Sequence, residues 1–457
     1  MKPHELTGRP LARSHSVLVA AVVLVAGWVA SAGAADLRIA TYNCSLSPDT
    51  ATGAESLVAR LATPDDRQAQ LVAEIVQRVG PDVLLLNEFN WDPDGKALEL
   101  FQQNYLAKGH DACATGMPSE PISFPYHYLP TGDGSPFNTG VPSGLDLDKN
   151  GRTTDPADAW GFGNFPGQYG MVVLSKYPID ASGTRTFQHF LWRDMPGNLI
   201  PTPFYPPADV GVLRLSSKSH WDLPIEVAGR TIHVLASHPT PPVFDGPEDR
   251  NGRRNHDEIR FWLDYITPGQ ASYVYDDRQF AAAGDKTPGS PAGGLARGAS
   301  FVIMGDQNAD PVDGHSRPEA IRQLVASPRV NSTFTPASEA GPEAARLEAE
   351  YNRDQRGDPA YDTSAFGENG NMRVDYVLPS ADVELRGGAV FWLPTASPLF
   401  KLVTDGQFPS DHRLVYLDVT LSPDVAGPAA RPATEDVGRP TASPHRSSER
   451  TAAAAGP

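Results

Sequence analysis

The pattern of apolar and polar positions predicts a mixture of strands and helices. Leu37–Asn43 alternates apolar and polar residues, as a half-buried strand does. Gln68–Val79 repeats apolar residues at helical spacing, and Gly80-Pro81 ends that helix. Asp82–Leu86 contains a continuous apolar run, which is typical of a strand covered on both faces.

The same pattern predicts further elements after a long loop-like stretch from Asp92 to about Gln168. We expect strands at Tyr169–Ser175, Val210–Ser216, Thr231–Ser237, Phe301–Met304, Arg373–Leu378 and Arg413–Val419, and helices near Ala97–Tyr105, His256–Ile266 and Arg317–Ala326. Strands and helices do not alternate strictly, and polar residues stand at strand ends. This predicts an α+β fold of two stacked, mainly antiparallel sheets flanked by helices, with a site at one end.

The two ends of the chain differ from its centre. Residues 1–34 have a basic start, an apolar run at Ser16–Ala30 and the small-x-small sequence Ala32–Ala34, which together predict a cleaved signal peptide. The apolar run is short for a membrane anchor, which is the alternative. Residues 423–457 are rich in Pro, Ala, Ser and Thr and predict a disordered tail. We therefore expect a folded domain at 36–422, secreted or periplasmic, with no membrane span after signal cleavage.

The net charge limits the binding partners that we expect, and the cysteine content limits the possible disulfides. The 457-residue chain has a formal net charge of −17 at pH 7, so we expect no stable complex with nucleic acid through a basic face. A local positive site or bound divalent cations could still receive a phosphate. Two cysteines, Cys44 and Cys113, allow one disulfide, but Cys44 could equally be a buried thiol.

Polar side chains stand at or next to the ends of several apolar runs. They are Asn43, Glu88, His238, Asp306, Asn308, Asp375, Asp411 and His412. Each alone has an ordinary explanation, such as a turn former or a solvated loop residue. Asp375 is the hardest to explain as a turn former or a solvated residue, because a charge inside a strand needs a partner. Their coincidence predicts a single polar site.

The motifs that carry these residues also occur in a recognisable order. They are IATYN, PDVLLLNE, YGMVVLSKYPI, HVLASH, GDQN, RVDYVL and SDHRLV. This series, from Leu37 to about Val419, resembles the endonuclease/exonuclease/phosphatase superfamily, which includes DNase I-like and exonuclease III-like enzymes. The resemblance implies a four-layer α/β sandwich and metal-assisted, in-line attack of water on a phosphate ester.

The resemblance also implies a metal site. A phosphate ester resists attack because its oxygens are negative, and hard divalent cations offset that charge. Such ions prefer carboxylate and carboxamide oxygens. We expect Mg²⁺ or Mn²⁺ on Glu88, with Asn43 beside it and with Asp411 as a further ligand.

Catalytic roles follow from the same resemblance. Asp306 would orient the water or take its proton, and Asn308 would hold a phosphate oxygen or the water. His412 would stabilise the developing charge, and His238 would help to protonate the leaving oxygen. The sequence leaves open which of the two histidines is the general acid. Asp375 would support a histidine or a second metal.

The sequence departs from the superfamily pattern at several positions. Gln307 replaces a more usual hydrophobic residue in GDQN and should point away from the site. No acidic residue matches the glutamate that pairs with the first histidine in DNase I-like members, since Gln168 stands near that position. Lys218 is a candidate substrate-binding residue that would contact the phosphate, or else an ordinary surface lysine.

A second cation site is suggested by DLDKNG at Asp146–Gly151. Asp146, Asp148 and Asn150 alternate as in the first half of an EF-hand loop, and the glycine permits the sharp bend. The twelfth position is Ala157 rather than glutamate, although Asp155 and Asp158 lie near it. The segment is therefore either a structural Ca²⁺ site or a solvated polar turn.

We favour a secreted, divalent-metal-dependent phosphoesterase that acts as a monomer. Its substrate could be a nucleic acid, which would make it a nuclease, a phospholipid head group or a small phosphoester. The alternative is a non-catalytic, calcium-stabilised extracellular binding module on the same fold. A serine hydrolase is excluded, because no G-x-S-x-G elbow follows a strand and Ser410, Asp411 and His412 are sequence neighbours that cannot form a triad with one another.

Overall fold

Two β-sheets form the centre of the molecule. The computed structural model describes residues 34–404 and 409–422, which lie in one compact unit. Residues 1–33 of the predicted signal peptide and the predicted tail at 423–457 lie outside the described residues. Within the described part, none of the helices has both the length and the apolar character needed to span a membrane.

The regular elements are numbered in chain order. The strands are β1 (Ala35–Leu46), β2 (Val83–Phe89), β3 (Tyr126–Tyr128), β4 (Met171–Ser175), β5 (Arg185–Thr186), β6 (His220–Val227), β7 (Arg230–Ser237), β8 (Ser300–Asp306), β9 (Ser364–Ala365), β10 (Asn371–Met372), β11 (Asp375–Pro379), β12 (Glu384–Val390) and β13 (Val415–Leu421). The α-helices are α1 (Leu57–Leu61), α2 (Arg67–Val79), α3 (Lys96–Phe101), α4 (Pro207–Val210), α5 (Arg250–Ile266), α6 (Asp277–Ala282), α7 (Glu319–Val325), α8 (Ala340–Leu347) and α9 (Ala349–Asn352).

The strands form two large sheets and one small one. The first sheet has the order β12-β13-β1-β2-β4-β3, and the second has the order β11-β8-β7-β6-β5. The β1–β2 and β7–β8 pairs are parallel, and the other pairs in these sheets are antiparallel. Strands β9 and β10 pair separately. The predicted α+β fold with two mainly antiparallel sheets is confirmed.

The layers follow from the alternation of side chains along each strand. In β8, Val302 and Met304 pack into the core that the two sheets share with α2. Phe301 and Ile303 point the other way and pack with residues of α5 and α7. Because successive strand side chains face opposite sides, this arrangement produces four layers: helix, sheet, sheet, helix.

Most predicted elements are present, and one predicted strand is wrong. Helix α2 ends at Gly80, whose φ of 68° lets its N–H bond to the carbonyl of Val76 at 2.8 Å. The expected strand at Val210–Ser216 is not a strand. It begins in the last residue of α4, and its only bridge is an isolated one between Arg214 and Leu191. Its apolar side chains alternate, but no strand of either large sheet pairs with it.

Both cysteines are free thiols. Cys44 is buried, its Sγ donates to the carbonyl of Asn87 at 3.3 Å, and burial raises the pKa of its thiol to about 12. Of the two alternatives for Cys44, the structure therefore has the buried thiol.

Candidate active site

The predicted site residues meet at one end of the two sheets. Asn43 in β1 lies opposite Asn87 in β2, so Glu88 is the next residue along. Asp306 at the end of β8 lies opposite Asp375 at the start of β11. A cavity of about 550 Å³ opens there, and five predicted residues line it: Glu88, Asp306, Asn308, Asp411 and His412.

His412 bridges two carboxylates. Its Nδ1 lies 2.9 Å from Asp375 Oδ2, and its Nε2 lies 3.6 Å from Asp306 Oδ2. Burial alone would lower the pKa of His412, but the charges of Asp375 and Asp306 outweigh it and hold that pKa well above 6.5. Burial also raises the pKa of Asp375, to about 6. The two carboxylates thus favour the protonated form of His412, which lines the cavity.

His238 has the opposite electrostatic environment. Its Nε2 lies 3.4 Å from Asp306 Oδ2, and the residue is 2% exposed. Burial, together with the positive charge of Lys218, lowers the pKa of His238 despite the nearby carboxylate. Burial opposes ionisation of Asp306 too, but His412 and His238 outweigh it and lower the pKa of Asp306. Asp306 thus lies between two histidines whose pKa values are shifted in opposite directions, upward for His412 and downward for His238.

Asn43 ties Glu88 to Asp306. Its Nδ2 donates to Glu88 Oε1 and to Asp306 Oδ2, both at 3.1 Å. Its Oδ1 accepts from the backbone N–H of Ser45 at 3.3 Å, and Ser47 Oγ donates to Glu88 Oε2 at 3.3 Å. The amide nitrogen of Asn43, rather than its oxygen, therefore faces Glu88. A metal-ligand role for Asn43 would require a half-turn of this amide.

Four non-glycine residues at the cavity have left-handed backbone conformations. The φ angles are 50° at Ser45, 57° at Glu88, 65° at Phe244 and 50° at Asn308. Such conformations cost about 1–3 kcal/mol each and cluster at functional sites. At Glu88 and Asn308 the strain falls on residues that the sequence had already singled out.

Gly305 places Asp306 beside the end of β7. Its φ is 134°, and a Cβ at this position would overlap the carbonyl oxygen of Ser237. The next side chain, Gln307, is buried and donates to Ser237 Oγ at 3.2 Å. It therefore packs between strand ends and does not line the cavity.

Asn308 and Asp411 lie at the cavity wall. The backbone N–H of Asn308 donates to Asp306 Oδ1 at 2.8 Å, and its Nδ2 donates to the carbonyl of Pro239 at 3.1 Å. The side chain of Asp411 is 55% exposed, and its Oδ1 lies 3.9 Å from His412 Nε2. Asp411 is thus the most accessible carboxylate near His412.

Lys218 is not a surface lysine. It is 6% exposed, and burial lowers its pKa, while the charges of Glu258, Glu88 and Asp306 act to raise it. It is not among the residues that line the cavity. The structure therefore places Lys218 behind the carboxylates rather than at the open face.

Three supporting residues were not predicted from the sequence. Asn87 Oδ1 accepts from the backbone N–H of Asp306 at 3.1 Å, which joins the two sheets. Thr363 Oγ1 donates to Asp375 Oδ2 at 2.8 Å. Ser410 Oγ donates to the carbonyl of Asn43 at 2.8 Å. Asn87 and Ser410 are neighbours of predicted site residues, whereas no sequence pattern indicated Thr363.

The donor set fits a hard divalent cation. Glu88, Asp306 and Asp411 present carboxylates to one cavity, and no lysine or arginine is found among the described residues that line it. Oxygen-rich, net negative sites of this kind suit Mg²⁺ or Mn²⁺. Atoms of Asp306, Asp375 and His412 also lie within 4.8 Å of one another. Hydrogen bonding through His412 accounts for that proximity, so we regard Glu88 as the better candidate ligand.

The DLDKNG segment brings two of its expected oxygen donors, Asp146 and Asp148, together with Asp158. Oxygens of Asp146, Asp148 and Asp158 lie within 4.8 Å of one another. Asp146 Oδ1 is buried and has no hydrogen-bond partner. Asn150 instead donates through Nδ2 to Asp148 Oδ2 at 2.9 Å and to Asp155 Oδ2 at 2.8 Å. Asp158, which lies next to the twelfth position of the loop pattern, thus adds a third carboxylate to those of Asp146 and Asp148.

Comparison with known proteins identifies the family. Residues 40–412 match the model of the Endonuclease/Exonuclease/phosphatase family. Solved structures with a similar fold include an endonuclease/exonuclease/phosphatase from Beutenbergia cavernae (18% identity, TM-score 0.44, covering 85% of this chain and 72% of that one). Sphingomyelinase C from Streptomyces griseocarneus is also similar, with 16% identity and a TM-score of 0.41, covering 84% of this chain and 99% of that one. The human nocturnin catalytic domain has 14% identity and a TM-score of 0.39, covering 84% of this chain and 94% of that one.

A search of curated protein sequences found no match. The family model nevertheless spans most of the chain, from β1 to His412, and so includes all the strand ends that meet at the cavity. The chain belongs to the endonuclease/exonuclease/phosphatase family, whose members are metal-dependent phosphoesterases.

Proposed function

We propose that this protein is a secreted hydrolase that uses Mg²⁺ or Mn²⁺ to cleave a phosphate ester by in-line attack of water. One observation carries the proposal: Asp306 Oδ2 and His412 Nε2 lie 3.6 Å apart in a cavity that also presents Glu88. Although burial opposes it, the attraction between the two groups lowers the pKa of Asp306 and raises that of His412. Acid–base catalysis needs such a pair, in which neighbouring groups have opposite protonation states.

In the proposed reaction, Asp306 takes a proton from the attacking water. The water oxygen forms a bond to phosphorus, and the bond from phosphorus to the leaving oxygen breaks. His412 stabilises the negative charge that develops on the phosphate and gives its proton to the leaving oxygen. The proton on Asp306 then returns to His412, since the two side chains are adjacent. His238, which does not line the cavity, orients Asp306.

The other predicted residues would bind rather than transfer protons. Glu88 and Asp411 would hold the cation, joined by Asn43 after a half-turn of its amide, and the cation offsets the charge of the phosphate oxygens. Asn308 at the cavity wall would hold a phosphate oxygen. Lys218 would contribute positive potential from behind the carboxylates rather than direct contact.

Hydrolysis of bis(p-nitrophenyl) phosphate in the presence of Mg²⁺ or Mn²⁺ tests the proposal. We expect release of p-nitrophenol that a chelator abolishes. Glu88→Gln and His412→Gln should each lower kcat by about 100-fold or more, because each removes one charge on which the transition state depends.

Glu384→Gln is the matched control, since its side chain is 51% exposed on β12. This variant should retain the wild-type rate. Undiminished hydrolysis in chelator, or in both site variants, would refute the mechanism. Absence of turnover on phosphodiester and phosphomonoester panels would favour the alternative, a non-catalytic binding module.

Export and the natural substrate belong to the same proposal. Nucleic acid, a phospholipid head group and a small phosphoester are all substrates of the proposed chemistry. The net charge of −17 supports turnover without a stable nucleic-acid complex. Sequencing of the exported protein tests the signal peptide: the mature chain should begin at Ala35, and an intact Met1 would contradict cleavage. Sedimentation should give a monomer.

A structural Ca²⁺ at Asp146, Asp148 and Asp158 is a separate part of the proposal. The uncompensated, buried Asp146 Oδ1 supports it. Ca²⁺ should raise the melting temperature of the wild type and not that of Asp146→Asn. An equal shift in both proteins would assign the effect to another site.

A further inference from the structure

Apolar side chains line much of the cavity beside the catalytic groups. Pro241, Pro242, Val243 and Phe244 follow His238 in the loop between β7 and α5, and Phe366 and Met372 line the same cavity. A phosphate alone gains nothing from such a surface. A group esterified to the phosphate would gain by removing it from water.

Phe244 is the most exposed large apolar side chain of the described residues, at 87%. Its φ of 65° is unusual for a bulky residue. The loop that carries it is fixed: Asn251 Nδ2 donates to the carbonyl of Val243, and Asp245 Oδ2 accepts from the backbone N–H of Asn251, both at 2.7 Å. The loop therefore holds an aromatic residue at the cavity in a strained backbone conformation. Burial of its side chain does not account for that conformation.

Two carboxylates of the cavity are not matched by cationic side chains. Asp310 accepts from the backbone N–H groups of Val312, Asp313 and Arg373 at 2.7–2.8 Å. Asp313 accepts from those of Arg356 and Gly357, both at 2.8 Å. Neither forms an ion pair with a lysine or arginine in the described part of the chain. Their negative charges would repel a second phosphate in the cavity.

We infer that the cavity contains a subsite for an apolar, preferably aromatic, group esterified to the phosphate, with Phe244 stacking on that group and Asp310 and Asp313 excluding further negative charge. This inference rests on the proposed function for the phosphate position. It assigns the substrate to compact monoanionic or dianionic phosphoesters with an apolar substituent, and it disfavours polynucleotides.

Binding of inert phosphonates by calorimetry, with Mg²⁺ present, tests the subsite without turnover. We expect phenylphosphonate to bind about ten-fold more tightly than methylphosphonate. The added carboxylate of 4-carboxyphenylphosphonate should weaken binding by about ten-fold relative to phenylphosphonate. Phe244→Ala should abolish the preference for phenyl and leave methylphosphonate binding unchanged. Asp313→Asn should reduce the penalty of the added carboxylate.

Phe334→Ala and Asp354→Asn are the matched controls, because both residues are exposed and neither lines the cavity. Both should behave as the wild type. Equal binding of phenyl- and methylphosphonate, or a Phe244→Ala variant that keeps the preference, would overturn the inference. If phenyl preference is found in a protein that hydrolyses no phosphoester, the proposed function fails and the subsite stands.

Discussion

At the scale of single residues, a chain of hydrogen bonds and charges raises the pKa of His412 against the effect of burial. Thr363 donates to Asp375, and Asp375 accepts from the Nδ1 of His412, all in the buried interior. An ion pair in such surroundings stabilises the charged form of the histidine more than it would in water. The pKa of His412, which faces the substrate, therefore depends on Thr363 and Asp375, and neither of them lines the cavity.

Asp375→Asn should lower kcat by about 100-fold or more and change KM little, because the His412 imidazolium loses its partner while the binding groups stay. Thr363→Val should lower kcat by about ten-fold, since it removes one neutral donor. Steady-state kinetics on bis(p-nitrophenyl) phosphate, with circular dichroism as a check of folding, measure both. An Asp375→Asn variant within three-fold of the wild type, roughly the scatter of a neutral change, would contradict this role.

The pKa of Asp362 determines how the free energy of unfolding should change with pH. Burial, with the charges of Asp310 and Asp313, raises its pKa to about 7. The unfolded value is about 3.9, so the folded state holds the proton more tightly. The stability that this proton provides is complete below about pH 4 and is lost as the pH rises to about 7.

Asp362→Asn should therefore gain stability over the wild type, and the gain should grow by roughly 1–3 kcal/mol between pH 5 and pH 8. Urea unfolding at the two pH values measures it. Asp354→Asn, whose side chain is 91% exposed, is the control and should show no such trend. A gain that does not change with pH would show that Asp362 is not the titrating group.

At the scale of elements, the site depends on how closely strand ends approach. Gly305 lets the end of β8 lie against Ser237 at the end of β7. Gly305→Ala should cost about 2–4 kcal/mol, because it combines an unfavourable φ with overlap of backbone atoms. At Gly289 a Cβ would meet nothing within 4 Å, so Gly289→Ala is the control. Equal free energies of unfolding for the two variants would refute this account.

The sequence pattern predicted the elements that have regular periodicity and clear ends. Helix α2 and strands β1, β2, β7 and β8 lie close to their expected positions, because Gly80 and the polar strand ends mark their boundaries. Strand β6 was not predicted, since Pro224 interrupts its pattern. Pro224 fits there because its carbonyl accepts from the backbone N–H of Asp180, while the neighbouring segment does not require an N–H from Pro224.

At the scale of the whole molecule, the two sheets are joined at the site by Asn87. Its Oδ1 accepts from Asp306 N–H at 3.1 Å, and its Nδ2 donates to the carbonyl of Ser237 at 3.4 Å. Asn87→Ala should cost about 1–3 kcal/mol and also lower kcat, because two buried backbone groups lose their partner and Asp306 loses its anchor.

Asn104→Ala serves as the comparison for Asn87→Ala. Asn104 Nδ2 donates to the carbonyls of Leu61 and Ala62, away from the site. This variant should lose some stability and keep the wild-type kcat. If Asn87→Ala also keeps the wild-type kcat, the link between the sheets does not matter for catalysis.

The site was predictable from the sequence to the extent that its residues stand at strand ends. Asp306, Asp375 and His412 were expected on that ground, and the fold brings them together. The orientation of Asn43 and the burial of Lys218 depend on contacts between distant segments. Periodicity along the chain contains no information about such contacts.

The central claim is that distant strand ends form one cation site at Glu88. Anomalous scattering from crystals soaked in Mn²⁺ tests it most directly. We expect a Mn²⁺ peak about 2–2.5 Å from a carboxylate oxygen of Glu88, inside the cavity and absent in Glu88→Gln. A Mn²⁺ peak elsewhere, with none beside Glu88 in the wild type, would contradict it.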